Sequence, residues 1–360
     1  MGNFKSFNVK KVYLGSNYLN LLTKKIEKIK KNNKKILIIL IVDKYLKNSK
    51  LINDLSFVEK TIIYYIDNKY ELSTEYVDNL TSRILNLGQP KILIGIGGGT
   101  TLDCTKAVSV LLTNPQKASN YQGWNLIINK GIYKIGIPTI SGTGAESSRT
   151  CVLLNKKNKL KLGFNSKFTI FDEVYLLPDL LKSVPKKLFF ITGMDAFFHS
   201  FELLNGRKRV KISDDLAKKT LNLCNKIFTN KPLKSQSNFT DIMKASFMGG
   251  EAISKSMVGL VHPFSAGLSS ILGIKHCLAN CIAFRGLKEF YPNEYEIYKN
   301  YLDINGIRIP KINLKNCTNS KLTNVYNSVI MHEKPLKNAL GINYKIILNK
   351  KKIFEILRKM

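Results

Sequence analysis

One segment constrains the fold more than any other: an apolar run that ends in three glycines and continues as a helix-forming stretch. Residues 92–96 (ILIGI) lead into glycines 97–99, and residues 100–111 place apolar side chains at helical spacing. A strand, a glycine turn and a helix in this order present backbone N–H groups and a partial positive charge to a phosphate. The segment predicts a nucleotide-binding α/β unit, although glycines can also serve a tight turn without a ligand.

Other apolar runs in the first half have the length of buried strands. They occupy residues 36–42, 133–138 and 168–171, and helical stretches separate them. This alternation favours a parallel sheet with crossover helices. From about Pro185 onward helical patterns dominate. We therefore predict a Rossmann-like α/β domain over residues 1–183 and an all-α domain over residues 184–360.

Two further features of the first half fit a dinucleotide. Residues 138–146 (PTISGTGAE) also follow a strand, and their hydroxyls and glycines are expected to line the same crevice as the glycine turn. Asp43 ends an early strand, where a carboxylate can accept hydrogen bonds from a ribose and repel a 2′-phosphate. That placement favours NAD over NADP, but an aspartate at a strand end is also common without a ligand.

The second half contains all four histidines of the chain. Asp195 and His199 are four residues apart, which puts both side chains on one face of a helix. His262 and His276 follow in two short glycine-containing segments. One carboxylate and three imidazoles suit Fe²⁺ or Zn²⁺, whereas each histidine alone would be a hydrogen-bonded core residue. His332 lies apart, either on the surface or reaching the site from the C-terminal helices.

The chain is strongly basic, with 57 Lys and Arg against 25 Asp and Glu and a net charge of +32. The lysines are dispersed, and the densest run, residues 24–35, has apolar residues at helical spacing, so it predicts the solvated face of an amphipathic helix. We expect attraction for anionic small molecules and no nucleic-acid or membrane partner. Scattered cysteines and the absence of a recognisable export signal lead us to expect a cytoplasmic protein with reduced thiols.

Four segments, in this order, resemble the iron-containing alcohol dehydrogenase family: residues 97–103, 138–146, 193–202 and 259–276. The resemblance implies a dehydroquinate synthase-like fold with an NAD site and a divalent metal. The metal ligands that it implies are Asp195, His199, His262 and His276. The cofactor contacts that it implies are Gly97, Gly98, Gly99, Thr100, Asp103, Thr139, Thr143 and Lys161.

Segments from about residue 90 onward are also similar to the 3-deoxy-D-manno-octulosonate 8-oxidases of that family. This closer resemblance implies oxidation of the terminal alcohol of an eight-carbon sugar acid to an aldehyde, for 8-amino sugar and lipopolysaccharide synthesis. It implies a pyridoxal-phosphate aminotransferase as the next enzyme, and we expect a homodimer. Candidate contacts for the substrate carboxylate are Arg149, Arg285, Lys334 and Lys337.

Two points keep other functions open. Many family members carry a further histidine four residues beyond the third ligand, where this chain has Ala266. Any proton relay through that histidine must therefore differ here. The alternatives within the fold are a dehydrogenase of another small alcohol or polyol, including a polyol phosphate, and a carbocycle-forming lyase. A basic nucleic-acid-binding protein is the alternative from another class.

Overall fold

The computed structural model describes residues 5–32, 36–56, 61–312 and 317–360. The chain divides into two compact units. The N-terminal unit runs to Asn158 and resumes at Leu162–Ser183; the helical unit comprises Lys159–Lys161 and Val184–Met360. Among the described residues, no helix has both the length and the apolar character needed to cross a bilayer.

The N-terminal unit is an α/β structure, as the sequence predicts. Its helices are α1 (Tyr18–Asn32), α2 (Lys50–Ser56), α3 (Thr74–Leu85) and α4 (Gly99–Leu111). Its strands are β1 (Lys11–Leu14), β2 (Ile38–Asp43), β3 (Thr61–Ile66), β4 (Ile92–Gly97), β5 (Gly123–Trp124), β6 (Tyr133–Pro138), β7 (Thr150–Asn155), β8 (Leu160–Asn165) and β9 (Glu173–Leu176). Strand β8 begins within the short 159–161 segment.

Six strands form a parallel sheet in the order β1-β9-β6-β4-β2-β3, and β5, β8 and β7 form a second sheet. The central strands are apolar throughout because both of their faces are buried: Ile38 to Val42 expose at most 1% of their surface. In α1, Leu22 and Ile26 face the core and Lys24 and Lys28 face solvent, whereas Lys25 pairs with the buried Glu173 and Leu21 is exposed.

The sheet places three candidate cofactor segments at one edge. Asp43 ends β2, Gly97 ends β4 and Pro138 ends β6. Val42 is level with Ile96, and Gly97 is level with Pro138. Ligands of open α/β sheets bind at this carboxyl edge.

The strand expected at residues 168–171 is wrong. Lys167–Thr169 form a 3₁₀ turn, because the Ser166 hydroxyl accepts a hydrogen bond from the Phe168 N–H. The Thr169 hydroxyl then bonds the Arg149 and Ser166 carbonyls. The strand instead begins at Glu173, in β9.

The helical unit is all-α, as expected. Its helices are α5 (Lys186–Leu204), α6 (Lys211–Thr229), α7 (Gln236–Lys255), α8 (Val261–Leu272), α9 (His276–Gly286), α10 (Pro292–Asn305), α11 (Asn319–Ile330), α12 (Glu333–Leu340), α13 (Tyr344–Ile347) and α14 (Lys350–Arg358). Helix α5 is buried from Phe189 to Leu203. Any polar side chain in that stretch must find partners inside the protein, because water cannot reach it.

Candidate metal and cofactor sites

Three helices of the helical unit bring together a carboxylate and two imidazoles. Asp195 lies at the middle of α5, His262 is the second residue of α8, and His276 is the first residue of α9. One ligand atom from each lies within 4.8 Å of the others. We call this group the Asp–His cluster.

The spacing of the Asp–His cluster matches a coordination sphere. His262 Nε2 lies 3.3 Å from Asp195 Oδ1, and His276 Nε2 lies 3.5 Å from Asp195 Oδ2. Two ligands on one tetrahedral metal, each about 2.1 Å from it, are roughly 3.4 Å apart. A divalent cation therefore fits between these atoms with little rearrangement.

The hydrogen bonding of His262 also fits a cation. Its Nδ1 lies 2.5 Å from Glu202 Oε2, and its Nε2 faces Asp195. Both neighbours are carboxylates, which only accept hydrogen bonds when ionised. Burial alone would lower the pKa of His262, but the charges of Glu202 and Asp195 raise it to about 9. Nε2 therefore holds either a proton or a positive ion.

His199 lies beside the cluster. Its Nε2 is 3.7 Å from Asp195 Oδ1, and its ring stacks on that of His262 with centroids 4.5 Å apart. Burial lowers the pKa of His199 to about 3, so the ring is neutral. Its Nδ1 is buried and has no hydrogen-bond partner within the described residues. His199 is not one of the three clustered residues, but its Nε2 faces Asp195, and a neutral imidazole nitrogen there fits a metal-binding role.

Asp195 is ionised although it is completely buried. Burial raises the pKa of this carboxyl, but His199, His276 and His262 together hold it well below its usual value. An ionised carboxylate without a compensating cation is costly at such a position. The donor set therefore fits Fe²⁺ or Zn²⁺.

Sequence reasoning missed three residues that contact the cluster. Glu202 bonds His262, Asn280 Nδ2 donates to Asp195 Oδ1 at 2.7 Å, and Cys277 Sγ lies 3.6 Å from Asp195 Oδ2. Helical spacing could have indicated two of them. Glu202 is seven residues after Asp195, and Asn280 is four residues after His276, so each shares a helix face with a ligand.

The sequence left open whether His332 lies on the surface or reaches the site. In the structure it is close enough to His262 for the charge of His262 to affect its pKa. Burial, with a smaller contribution from the charge of His262, lowers the pKa of His332 to about 4. His332 lies just before α12 and is half-buried. The residue therefore belongs to the surroundings of the Asp–His cluster without being one of the three clustered ligands.

In the N-terminal unit, the glycine turn and the 138–146 segment pack against each other. Thr139 N–H donates to the Gly97 carbonyl at 3.1 Å. A Cβ added at Gly99 would lie 3.0 Å from Thr143 Oγ1, and one at Gly97 would lie 2.7 Å from the Thr101 side chain. The structure thus joins the two segments that the sequence predicted to line one crevice.

Two buried hydroxyls beside this turn fit a polar ligand. Thr101 Oγ1 and Ser141 Oγ have no hydrogen-bond partner within the described residues, although the exposed fractions of these residues are 0% and 4%. Gly98 precedes the first turn of α4 and no side chain caps that helix end. Free hydroxyls and uncapped N–H groups are suited to a pyrophosphate.

Two of the remaining cofactor candidates are held by hydrogen bonds within the protein. Asp43 accepts hydrogen bonds from Tyr45 N–H and the Asn68 amide. Asp103 accepts one from Val152 N–H at 2.9 Å and so ties α4 to β7. Thr100 is half-buried in the first turn of α4. Lys161 belongs to the helical unit. Burial and the charge of Asp195 raise the pKa of the Cys277 thiol, and the charge of Lys161 partly opposes this rise.

The substrate candidates are dispersed. Arg285 donates to the carbonyls of Ile309, Pro310 and Met360, which accounts for this residue without a substrate. Lys337 pairs with Glu333 at 2.9 Å, and Lys334 is exposed on the same helix. In the N-terminal unit, Arg149 donates to the Asn165 carbonyl and the Asn125 side chain and lies over the Trp124 ring.

Proteins of known activity resemble parts of this chain. The sulfoacetaldehyde reductase of Bilophila wadsworthia is 32% identical over 219 residues, which are 60% of this chain and 56% of that protein. The NAD-dependent methanol dehydrogenase of Bacillus methanolicus is 26% identical over 196 residues, 53% of this chain and 50% of that protein. The chain thus spans about half the length of the curated relatives it matches.

Solved structures share the fold over nearly the whole chain. An alcohol dehydrogenase from Oenococcus oeni superposes with a TM-score of 0.82 at 18% identity and covers 98% of this chain and 100% of its own. The sulfoacetaldehyde reductase from Bifidobacterium kashiwanohense, in complex with NAD⁺, has a TM-score of 0.77 at 19% identity and covers 99% of each chain. At these identities the likeness concerns the fold alone.

The family profiles match both units. Residues 10–180 match the profile described as "Iron-containing alcohol dehydrogenase", and residues 189–321 match "Fe-containing alcohol dehydrogenase family, C-terminal". The matched regions follow each other in order and together cover most of the sequence. The chain belongs to the iron-containing alcohol dehydrogenase family.

Proposed function

We propose that this protein is a metal-dependent, NAD-linked oxidoreductase that interconverts a small primary alcohol and its aldehyde. The Asp–His cluster carries the proposal, because its atoms have the spacing and charge of a divalent metal site. Asp195, His262 and His276 would hold the metal, with His199 as the fourth ligand. The glycine turn of α4, with Thr139 and Thr143, would hold NAD.

The side chains have separate roles in this proposal. A bound divalent metal would act as a Lewis acid toward the alcohol oxygen, and NAD would accept the hydride. Asp195 supplies the buried negative charge that retains a cation, and His199 is a neutral donor because of its low pKa. The hydroxyls of Thr101 and Ser141 are available to bond a phosphate. In this proposal, side chains of the protein position both the metal and NAD.

The substrate is expected to carry a negative charge. The chain has a net charge of +32, and the relative at 32% identity is named for sulfoacetaldehyde, an anionic aldehyde. Lys161 is a candidate contact, because its charge reaches Cys277 next to His276. Lys161 can pair either with the substrate anion or with the phosphates of the cofactor.

A second candidate substrate is 3-deoxy-D-manno-octulosonate, oxidised at its terminal alcohol. Support comes from the sequence segments between residue 90 and the C-terminus, including residues 121–124, 144–151 and 332–341. The matched relatives are named for smaller alcohols and aldehydes, so they favour the first candidate. A pathway aminotransferase, a homodimer and a cytoplasmic location remain predictions that accompany this assignment.

The test is an assay of the purified chain loaded with Fe²⁺ or Zn²⁺. Primary alcohols are supplied with NAD⁺, sulfoacetaldehyde is supplied with NADH, and the octulosonate is supplied with NAD⁺ or with dioxygen alone. We expect metal-dependent change in NADH absorbance with at least one small substrate. Turnover of the octulosonate alone would select the second candidate. Absence of turnover with every substrate and both metals would contradict the proposal.

A further inference from the structure

Glu202 is a completely enclosed carboxylate that contacts the Asp–His cluster from behind. It lies on α5, seven residues after Asp195, and its exposed fraction is 1%. Oε1 accepts a hydrogen bond from Val261 N–H at 2.5 Å, and Oε2 lies 2.5 Å from His262 Nδ1. Both oxygens are therefore engaged by consecutive residues of α8.

The bond to Val261 holds Glu202 in one orientation. Val261 is the first residue of α8, so its N–H has no acceptor within that helix. The chain that enters α8 is also fixed by Tyr291, whose hydroxyl accepts a hydrogen bond from Leu260 N–H at 3.2 Å. A Cβ added at Gly259 would lie 2.6 Å from that hydroxyl and 3.1 Å from Glu202 Oε1. A glycine at 259 is therefore needed for this close approach, and the bond to Val261 keeps the enclosed Glu202 facing His262.

This arrangement determines which nitrogen of His262 carries a proton. An ionised carboxylate cannot donate, so the hydrogen bond at Nδ1 requires a proton on Nδ1. Nε2 is then the nitrogen whose lone pair is available to a metal. Partners of this kind orient ligating histidines and commonly change metal affinity 10- to 100-fold.

We propose that Glu202 is a positioning residue that keeps the His262 proton on Nδ1 and thereby reserves Nε2 for the divalent metal. The inference rests on the proposed function, since it concerns the same metal site. It assigns to Glu202 a role in the affinity for the metal, in addition to its structural bond to α8. Glu202 itself has no contact with substrate in this scheme.

Glu202→Gln separates the two roles. Because Val261 N–H needs an acceptor, the glutamine oxygen must face Val261, which turns the NH₂ group toward His262 Nδ1. Nδ1 then has to accept, and the ring proton moves to Nε2, where Asp195 Oδ1 at 3.3 Å accepts it. The variant keeps the shape of the site and satisfies both ring nitrogens of His262 without a metal. In wild type a metal can replace the Nε2 proton while Glu202 accepts the Nδ1 proton, whereas in the variant a metal at Nε2 forces a proton onto Nδ1 against the glutamine NH₂ group.

The experiment compares four proteins: wild type, Glu202→Gln, Glu202→Asp and Glu173→Gln. Zinc affinity is measured by competition with a chromophoric chelator at a fixed pH. We expect a 10- to 100-fold loss for Glu202→Gln and a smaller loss for Glu202→Asp, which keeps a carboxylate. Glu173 is the matched control, because it is a buried glutamate in the N-terminal unit, bonded by Lys25 and Tyr133. Its substitution should lower stability without changing zinc affinity.

A spectroscopic measurement checks the cause. ¹⁵N NMR of histidine-labelled, metal-free protein should show a protonated Nδ1 for His262 in wild type and an unprotonated Nδ1 in Glu202→Gln. The His262 signals are assigned by their absence from His262→Gln. Equal zinc affinities in wild type and Glu202→Gln, or a protonated Nδ1 in both, would overturn the positioning role while leaving the proposed function intact. A wild-type chain that binds no zinc would contradict the proposed function itself.

Discussion

Asn280 donates a hydrogen bond of 2.7 Å to Oδ1 of Asp195, the oxygen that also faces His262 and His199. The Asn280 side chain is completely buried, and its own oxygen has no partner within the described residues. The amide therefore holds the carboxylate in place at the cost of an unsatisfied carbonyl. This relationship is the most direct sign that the helical unit is organised around Asp195.

Replacement of Asn280 by Leu should weaken zinc binding about 10-fold, because it removes a contact that orients a ligand without removing a ligand. Asn305→Leu is the matched control: Asn305 is another buried asparagine of the helical unit, and it bonds the Phe228 and Tyr301 carbonyls. Both variants should lose stability, but only the first should lose affinity in a chelator competition. Equal affinities in the two variants would remove Asn280 from the site.

Gly97→Ala should reduce NAD binding by at least 10-fold and leave zinc binding unchanged. The new methyl group would lie 2.7 Å from the Thr101 side chain, so β4 and α4 must separate, at an overpacking cost of about 1–3 kcal/mol. Isothermal titration with NAD⁺ measures the effect. Gly249→Ala is the control, since its methyl group would lie 3.8 Å from Ala196. Unchanged NAD affinity in Gly97→Ala would argue against the glycine turn as the cofactor site.

Arg285→Ala should destabilise the fold by about 1–3 kcal/mol without changing KM, because the guanidinium bonds three backbone carbonyls near the C-terminus. Urea unfolding and steady-state kinetics separate the two effects. Lys161→Met should raise the KM for an anionic substrate and leave the free energy of unfolding nearly unchanged. A raised KM in Arg285→Ala with normal stability would restore Arg285 as a substrate contact.

We expect Lys134 to make the free energy of unfolding depend on pH. It is buried in β6, and burial lowers its pKa to about 8, with Asp172 opposing and Lys106 contributing. Between pH 8 and the unfolded pKa near 10.5 the unfolded chain binds a proton that the folded chain lacks, so stability from this group rises with pH, by about 3 kcal/mol. Lys134→Met should therefore be stabilised relative to wild type at pH 7, with the difference shrinking by pH 10. A difference in urea unfolding that is constant across pH would contradict this.

The sequence predicts those parts of the molecule that depend on neighbouring residues. The strand before Gly97 and the helix after it form a local pattern, and Asp195 and His199 lie on one helix face because of their spacing. The edge strands β1 and β3 were not predicted; β1 has only four residues, whereas β3 is an apolar run of six that the sequence analysis overlooked. Residues 168–171 were mistaken for a strand because the Ser166 cap and the Thr169 contact to Arg149 override an apolar pattern.

The features that the sequence did not predict depend on contacts between residues far apart in the chain. From the sequence alone, Arg285 was a candidate substrate contact. Its hydrogen-bond partners, one of which is Met360 75 residues away, become visible only in the structure. Glu202 and His262 are 60 residues apart, and Asn280 and Asp195 are 85 apart. The sequence placed Asp195 and His199 on one helix face, but it could not determine which helices meet. The sequence did name Asp195, His262 and His276 as ligands of one metal, and the structure brings their ligand atoms within 4.8 Å of one another.

In the proposed function, Asp195, His262 and His276 hold one divalent metal. The direct measurement is elemental analysis of protein loaded with Zn²⁺ and then desalted, for wild type, His262→Gln and His332→Gln. His332 is the matched control, because it lies near His262 but outside the Asp–His cluster. We predict about one zinc per chain in wild type and in His332→Gln, and a loss of most of it in His262→Gln. Full zinc retention by His262→Gln, or no zinc in wild type, would contradict the account.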